Sequence, residues 1–340
     1  MAVPQPDTRD SGSNPPGGLH QAFKRAKRAV VNAFVRRALR WLTGKVRRMS
    51  PDEGYRLADR LARIVYRIYP TPRRTSVRQL RRAFGDRYSA REREEIAWKS
   101  FRNLFRTVIE FLRLPVMTRE EILDLASESG AEYLKQAMSL GRGVIVMSAH
   151  YDNWELTAAR MAADGYKVNA IIREANDAQV NAFVNEARER FGMHSIGRDD
   201  LRAAIQCLRR NEGLAILADQ NIQKGGVWVE FFGHPATAAP GPAVLALRTG
   251  APIVPVFIMR DEQNHHHIRF FPPLELVRTD DTERDIQENT ALITRTIEEQ
   301  VALHPEQWMW SHPRWRRAEQ LGLTPRDHKA TGKRPELPAD

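Results

Sequence analysis

The sequence predicts an α/β protein: a mixed, mostly parallel sheet covered by helices, preceded by a basic helical extension. Three observations predict it. From Gly143 onward short apolar runs alternate with helical stretches, the pattern of strands joined by covering helices. Through residues 20–140 apolar residues recur instead at helical spacing. At 340 residues and 42% hydrophobic, the chain is long enough for one large α/β domain with an extension, or for two modest domains.

Taken in order, residues 1–19 are polar and rich in Gly and Pro, the composition of a disordered tail. In residues 20–49, Phe23, Val30, Val31, Phe34, Ala38, Trp41 and Leu42 recur at helical spacing. Between them stand Lys24, Arg25, Arg28, Arg36, Arg37, Arg40, Arg47 and Arg48, with no acidic residue in the segment. An apolar stripe faced by arginines is the pattern of a helix lying in a membrane interface, where each basic side chain near an anionic bilayer contributes about 1 kcal/mol. The alternative is a basic helix packed on its own domain.

Residues 51–69 form a second amphipathic helix with Leu57, Leu61, Ile64, Val65 and Ile68 on one side, and Pro70 and Pro72 end it. Helices follow at 73–84, 89–114 and 118–139, the last two opening on the N-cap residues Ser89 and Thr118. The arginines from Arg73 to Arg82 have no interleaved aromatics and read as solvated helix surface, so no nucleic acid is expected. Strands are expected at 143–148, 167–172, 213–217, 252–259 and 267–271, with helices at 154–164, 176–191, 199–211 and 240–250. A last helix covers 284–303. The domain reading is a helical region over 20–140, an α/β domain over 141–318 and a loose tail over 319–340.

A net charge of +11 and a pI near 10.1 point to an anionic partner: nucleic acid, membrane surface or acidic protein. The single cysteine, Cys207, excludes an intramolecular disulfide and a multi-cysteine zinc site. His265–His266–His267 lies at a turn between two strands without a nearby carboxylate cluster, so it reads as a solvated loop and no metal is expected. No run of about 18 apolar residues exists to span a bilayer, and the N-terminus lacks a secretory signal's apolar core. The chain reads as cytoplasmic in origin.

The chemistry concentrates after the first strand, in His150–Tyr151–Asp152–Asn153–Trp154–Glu155. A histidine at a strand's carboxyl end, where α/β sheets hold their ligands, titrates near neutrality and can take a proton from a hydroxyl. Glu155, opening the next helix, could hold its second ring nitrogen. Arg173 ends one strand and Asp219 follows another, again at the carboxyl edge. Asp219 could hold an arginine, bind an acceptor sugar, or simply make a turn. No Gly-x-Ser-x-Gly elbow is present, which disfavours a serine hydrolase.

Ser148–Ala149–His150–Tyr151–Asp152–Asn153–Trp154–Glu155 resembles the signature of the bacterial lipid A biosynthesis acyltransferases, within the wider His-x4-Asp/Glu glycerolipid acyltransferases. Further blocks resemble that family in the same order: Arg188–Glu189–Arg190–Phe191–Gly192, Gly197–Arg198–Asp199–Asp200–Leu201, Ala218–Asp219–Gln220, the segment from Val227 to Gly233 with Ala236–Thr237, Gly250 to Pro255, and Pro305 to His312. Two features depart from it. A basic amphipathic segment stands where the family usually has a membrane-spanning helix, and the threonine-rich run after the acceptor block is thinned.

The resemblance implies the glycerolipid-acyltransferase type of sheet. It implies transfer of an acyl chain from a thioester, acyl carrier protein or acyl-CoA, to a hydroxyl of a membrane glycolipid of lipid A precursor type, with no cofactor. His150 would be the general base, oriented by Glu155. Arg188 first, and Arg173 second, would stabilise the developing oxyanion or grip a phosphate. Asp219, Phe232 and Gly233 would approach substrate, while Trp308 and Trp310 pack the C-terminal segment. The expected location is the cytoplasmic face of the inner membrane, peripheral or interfacially anchored on anionic lipid; the oligomeric state stays open. The competing acceptors are a lysophospholipid and a phosphoinositide mannoside, and the competing class is a basic membrane-binding protein with a degenerate site.

Overall fold

The computed structural model describes residue 37, residues 41–173 and residues 178–323. The expected disordered segment 1–19, residues 20–36 and 38–40 of the basic stripe over 20–49, and the tail beyond residue 323 lie outside the described residues. The chain divides into the units Met1–Lys45 and Val46–Asp340. In the first, residues 41–45 are helical and Lys45 Nζ stands 5.2 Å from the centre of the Trp41 ring.

The second unit opens with three helices: α1 (Pro51–Ile68), α2 (Pro70–Phe84) and α3 (Ala90–Arg113). Ser50 and Ser89 cap α1 and α3 in reciprocal capping boxes with Glu53 and Glu92, satisfying backbone donors that have no intrahelical acceptor. Helix α1 buries Gly54, Tyr55, Ala58 and Ala62. Of its Leu57–Ile68 stripe, Leu57, Leu61 and Val65 are half-buried, while Ile64 and Ile68 are exposed.

The stretch read as one helix over 118–139 is three elements: α4 (Arg119–Leu125), β1 (Ala126–Ser129) and α5 (Ala131–Ser139). Gly130 makes the break. It holds φ +73°, and a Cβ there would come 2.2 Å from the carbonyl oxygen of Phe270. Local helical spacing was overridden by pairing of β1 with a distant strand.

The alternating region then supplies β2 (Val144–Ser148), α6 (Trp154–Ala163), β3 (Val168–Ile172), α7 (Ala178–Arg190), β4 (Met193–Gly197), α8 (Leu201–Arg209) and β5 (Gly213–Leu217). After these come β6 (Val227–Phe231), β7 (His234–Ala238), α9 (Gly241–Thr249), β8 (Ile253–Arg260), β9 (His266–Phe270), α10 (Thr282–Leu303) and α11 (Arg316–Gln320). Strand β4 and the β6–β7 hairpin are additions to the sequence reading. The polar and small residues of β4 and β7 make no continuous apolar run, and Glu230 interrupts the one in β6.

The seven-stranded sheet has the order β1-β9-β8-β2-β5-β3-β4. Its strands pair in parallel except β8 with β9, so β9 and β1 run against the other five. Alternate residues of the central strand β2 face opposite sides: Ile145 and Met147 join one apolar cluster, Val144 and Val146 the other. Burial on both faces explains the unbroken apolar run at 143–148.

Candidate active site

Strands β2 and β5 are parallel neighbours with Ser148 level with Leu217. Continuing each chain two residues past that rung brings His150 beside Asp219. The Asp219 carboxylate accepts from His150 Nδ1 at 2.8 Å, from the His150 backbone N–H at 3.1 Å and from Trp308 Nε1 at 2.8 Å. Burial disfavours the Asp219 charge, but the facing His150 and these hydrogen bonds outweigh it and hold its pKa down to about 2. A carboxylate only accepts, so Nδ1 carries the proton of the neutral ring and Nε2 is left as the base. Gln220 Nε2 lies 3.1 Å from it, and the Trp154 ring packs 4.9 Å from the imidazole.

The expected partner of His150 was Glu155, and here the structure corrects the sequence. Glu155 is half of an ion pair with Arg188, whose Nε is 3.1 Å from Oε2 and whose Nη2 also donates to the carboxylate; Trp154 Nε1 adds a 3.3 Å contact. The reason is topological. Only four residues separate His150 from Glu155 along the chain, but Glu155 sits on the first turn of α6, paired with Arg188 of α7, whereas Asp219 sits at the end of the adjacent strand. Strand order, which local sequence does not state, decided between them.

These groups open on a cavity of about 870 Å³. Its apolar wall includes Ile171, Ile216, Ala204, Pro242 and Leu245, and its polar part includes His150, Glu155, Arg173, Arg188, Arg198 and Lys224. Asp200 is occupied in capping α8 through Ala203 N, and Glu155 by Arg188. Asp199 also lines the cavity, 3.5 Å from Arg198 Nε, so among the described residues the basic lining residues Arg173, Arg188, Arg198 and Lys224 exceed the acidic Glu155, Asp199 and Asp200 by one. Arg173 is exposed at this wall, as its place at the end of β3 suggested.

Phe232 and Gly233, expected to approach substrate, do something else. Both have positive φ, +51° and +70°, and together they form the two-residue turn of the β6–β7 hairpin. Phe232 packs against Phe84, Phe231 and Trp310 and is not part of the cavity wall. Trp308 is buried as expected but also anchors Asp219, a contact no local pattern announces. His312 accepts from Asn221 N–H at 3.2 Å, and burial lowers its pKa to about 4, so it stays neutral beside the site.

The model of the bacterial lipid A biosynthesis acyltransferase family matches residues 30–317. This chain belongs to that family. A lipid A biosynthesis palmitoleoyltransferase of Escherichia coli (strain K12) is 26% identical over 232 residues, covering 67% of this chain and 74% of that protein. The myristoyltransferase of the same organism is 26% identical over 259 residues, 74% of this chain and 77% of its own. A phosphatidylinositol mannoside acyltransferase of Mycobacterium tuberculosis (strain CDC 1551 / Oshkosh) is 23% identical over 213 residues, 61% of this chain and 66% of that protein. As a lipid A biosynthesis acyltransferase by family, the chain carries its imidazole–carboxylate pair where the sheet's carboxyl edge meets the cavity.

Among the described residues no group of three or more His, Cys, Asp or Glu is arranged to hold a metal ion. None of the described helices is long and apolar enough to cross a membrane. The His265–His267 run is not the solvated loop expected: His266 is fully buried and bonded to Glu110 at 3.0 Å.

Proposed function

We propose that the chain moves a fatty acyl group from a thioester, of acyl carrier protein or CoA, to a hydroxyl of an anionic membrane glycolipid of lipid A precursor type. The observation that carries this is the His150–Asp219 pair, set with Nε2 as base at the wall of a cavity that is apolar on one side and cationic on another. The hydroxyl oxygen attacks the thioester carbonyl as His150 Nε2 takes its proton, and Asp219 stabilises the imidazolium that forms. General-base assistance of this kind contributes about 10²–10⁴-fold. The tetrahedral oxyanion then collapses, expelling the thiolate, which takes the proton back from Nε2.

Arg188, anchored on Glu155 through Nε and Nη2, presents a fixed positive charge at the cavity wall for the oxyanion or for a substrate phosphate. Arg173 and Lys224 extend that charge along the wall and suit a phosphorylated substrate. The mannoside acyltransferase relative favours a second acceptor class, a phosphoinositide mannoside, on the same cavity chemistry.

Peripheral binding to the membrane is supported by α1, where Ile64, Ile68 and Tyr69 are exposed beside Arg60, Arg63 and Arg67. The deciding experiment incubates detergent-purified protein with acyl-CoA or acyl-acyl-carrier-protein and, separately, a lipid A precursor, a phosphoinositide mannoside and a lysophospholipid, with His150→Ala as control. A His150-dependent mass gain of one acyl chain on the precursor is expected. Gain only on another acceptor moves the substrate class; no gain on any overturns the reading.

A further inference from the structure

Beneath the strand-end loop that carries His150 lies a buried cluster the proposed reaction does not use. Glu110 of α3 and Asp152 of the loop are both buried, as are Arg260 at the end of β8 and His266 at the start of β9. Arg260 reaches both acids: Nη1 and Nη2 stand 2.6 and 2.7 Å from the Glu110 carboxylate, and Nη2 stands 3.1 Å from Asp152 Oδ1. Glu110 also accepts from Tyr55 OH at 2.6 Å and Asn153 Nδ2 at 2.8 Å. His266 fills the remaining place, with Nε2 at 3.0 Å from Glu110 Oε1 and Nδ1 facing Asp152 Oδ2 at 3.6 Å.

Nε2 of His266 is within hydrogen-bond reach of Glu110, whereas Nδ1 and Asp152 Oδ2, 3.6 Å apart, have no hydrogen-bond partner among the described residues; only an imidazolium has an N–H to offer at both nitrogens. Charge counting agrees. Among the groups in direct contact, two buried carboxylates face one guanidinium, and a protonated His266 cancels the negative charge left over; Arg102, half-buried, adds a more distant positive charge. Asp152 also holds φ +40°, a left-handed conformation that a non-glycine residue keeps only when its surroundings impose it. Its backbone N–H donates to Gln307 O at 2.7 Å, and the adjoining His150 carbonyl accepts from Met309 N–H at 3.0 Å.

We propose that protonated His266 is a positioning residue for His150: bridging Glu110 and Asp152, it fixes the strained loop turn and so sets the imidazole against Asp219. The titratable and charged groups around it are Glu110 on α3, Asp152 on the loop, Arg260 on β8, Tyr55 on α1 and, further out on α3, Arg102. Burial works against the imidazolium, and the Glu110 charge outweighs it and raises His266 above the ordinary histidine range. The shift is upward, so the proton, and with it the positioning, is lost as pH climbs through the elevated value.

The catalytic readout rests on the acyl-transfer reading, so the test begins with one that does not. In the full chain with ¹⁵N-labelled histidines, the ring signals that vanish in His266→Gln are expected to show both nitrogens protonated at neutral pH. A neutral ring there overturns the proposal without touching the assignment of His150 as base. In the transfer assay with acyl-acyl-carrier-protein and a lipid A precursor, kcat of His266→Gln is expected to fall about 10²-fold, the scale of a misplaced catalytic group, with KM changed little. Asp152→Asn, which removes the charge facing Nδ1 and tolerates the left-handed turn, is expected to move the alkaline fall of kcat to lower pH. Adding Asp152→Asn to His266→Gln is expected to restore part of kcat. An alkaline limb unmoved by Asp152→Asn, or a kcat loss in His266→Gln that only tracks the folded fraction, overturns it; the Asp152→Asn arm stands even if His266→Gln does not fold.

Discussion

Asp219 is charged although burial opposes it, because two N–H groups of His150 and the indole of Trp308 all donate to it. Replacing it by Asn keeps the shape but offers Nδ1 no anion, so Asp219→Asn is expected to lower kcat by about 10²–10⁴-fold while the circular dichroism spectrum stays unchanged. Glu155→Gln is expected to act differently. It leaves the His150–Asp219 contact alone and loosens Arg188, so it should raise KM or weaken oxyanion stabilisation by less than Asp219→Asn costs; equal loss in steady-state kinetics would put Glu155 back beside His150. The pH dependence has a definite sign. A carboxylate whose folded pKa lies below its unfolded value of about 3.8 contributes stability above that value and loses it as pH falls towards 2. The contribution is about 2 kcal/mol, so the stability gap between wild type and Asp219→Asn in urea titrations should shrink between pH 4 and pH 2.

Among the elements, the short ones carry most of the surprises. Gly130 separates β1 from α5 and leaves no room for a Cβ against the Phe270 carbonyl, whereas Gly233 in the hairpin turn meets nothing within 4 Å. Gly233→Ala should therefore cost only the strain of positive φ, about 1 kcal/mol, and Gly130→Ala clearly more, because backbone must move. Thermal melts of the two variants check the order. The caps at Ser89 and Thr118 were readable from sequence because a capping box is a four-residue pattern. Strand β1 was not, because Ala126–Ser129 becomes a strand only by pairing with β9, whose residues lie about 140 positions later.

Across the whole molecule, the proposed peripheral membrane binding rests on a net charge of +11 and on exposed Ile64 and Ile68 beside arginines. Flotation with vesicles of anionic phospholipid should show binding that weakens with salt, as surface charges are screened over about 10 Å at 0.1 M. Replacing Ile64 and Ile68 together by Asp should reduce that binding without lowering the melting temperature, since neither side chain is in the core. Binding unchanged by the pair would put the membrane contact elsewhere on the chain.

The sequence by itself determined the class of fold, five of the nine described strands and the family, and singled out His150 as the candidate base, because each is written in local periodicity or in blocks of contiguous residues. Tertiary structure alone decided which carboxylate serves His150. It also buried His266 in an ionic cluster and placed Phe232 and Gly233 at the turn of the β6–β7 hairpin, outside the cavity wall. Those outcomes depend on which strands lie side by side, and strand order is fixed by burying both faces of the sheet at once, a property of the packed chain that no window of its sequence contains.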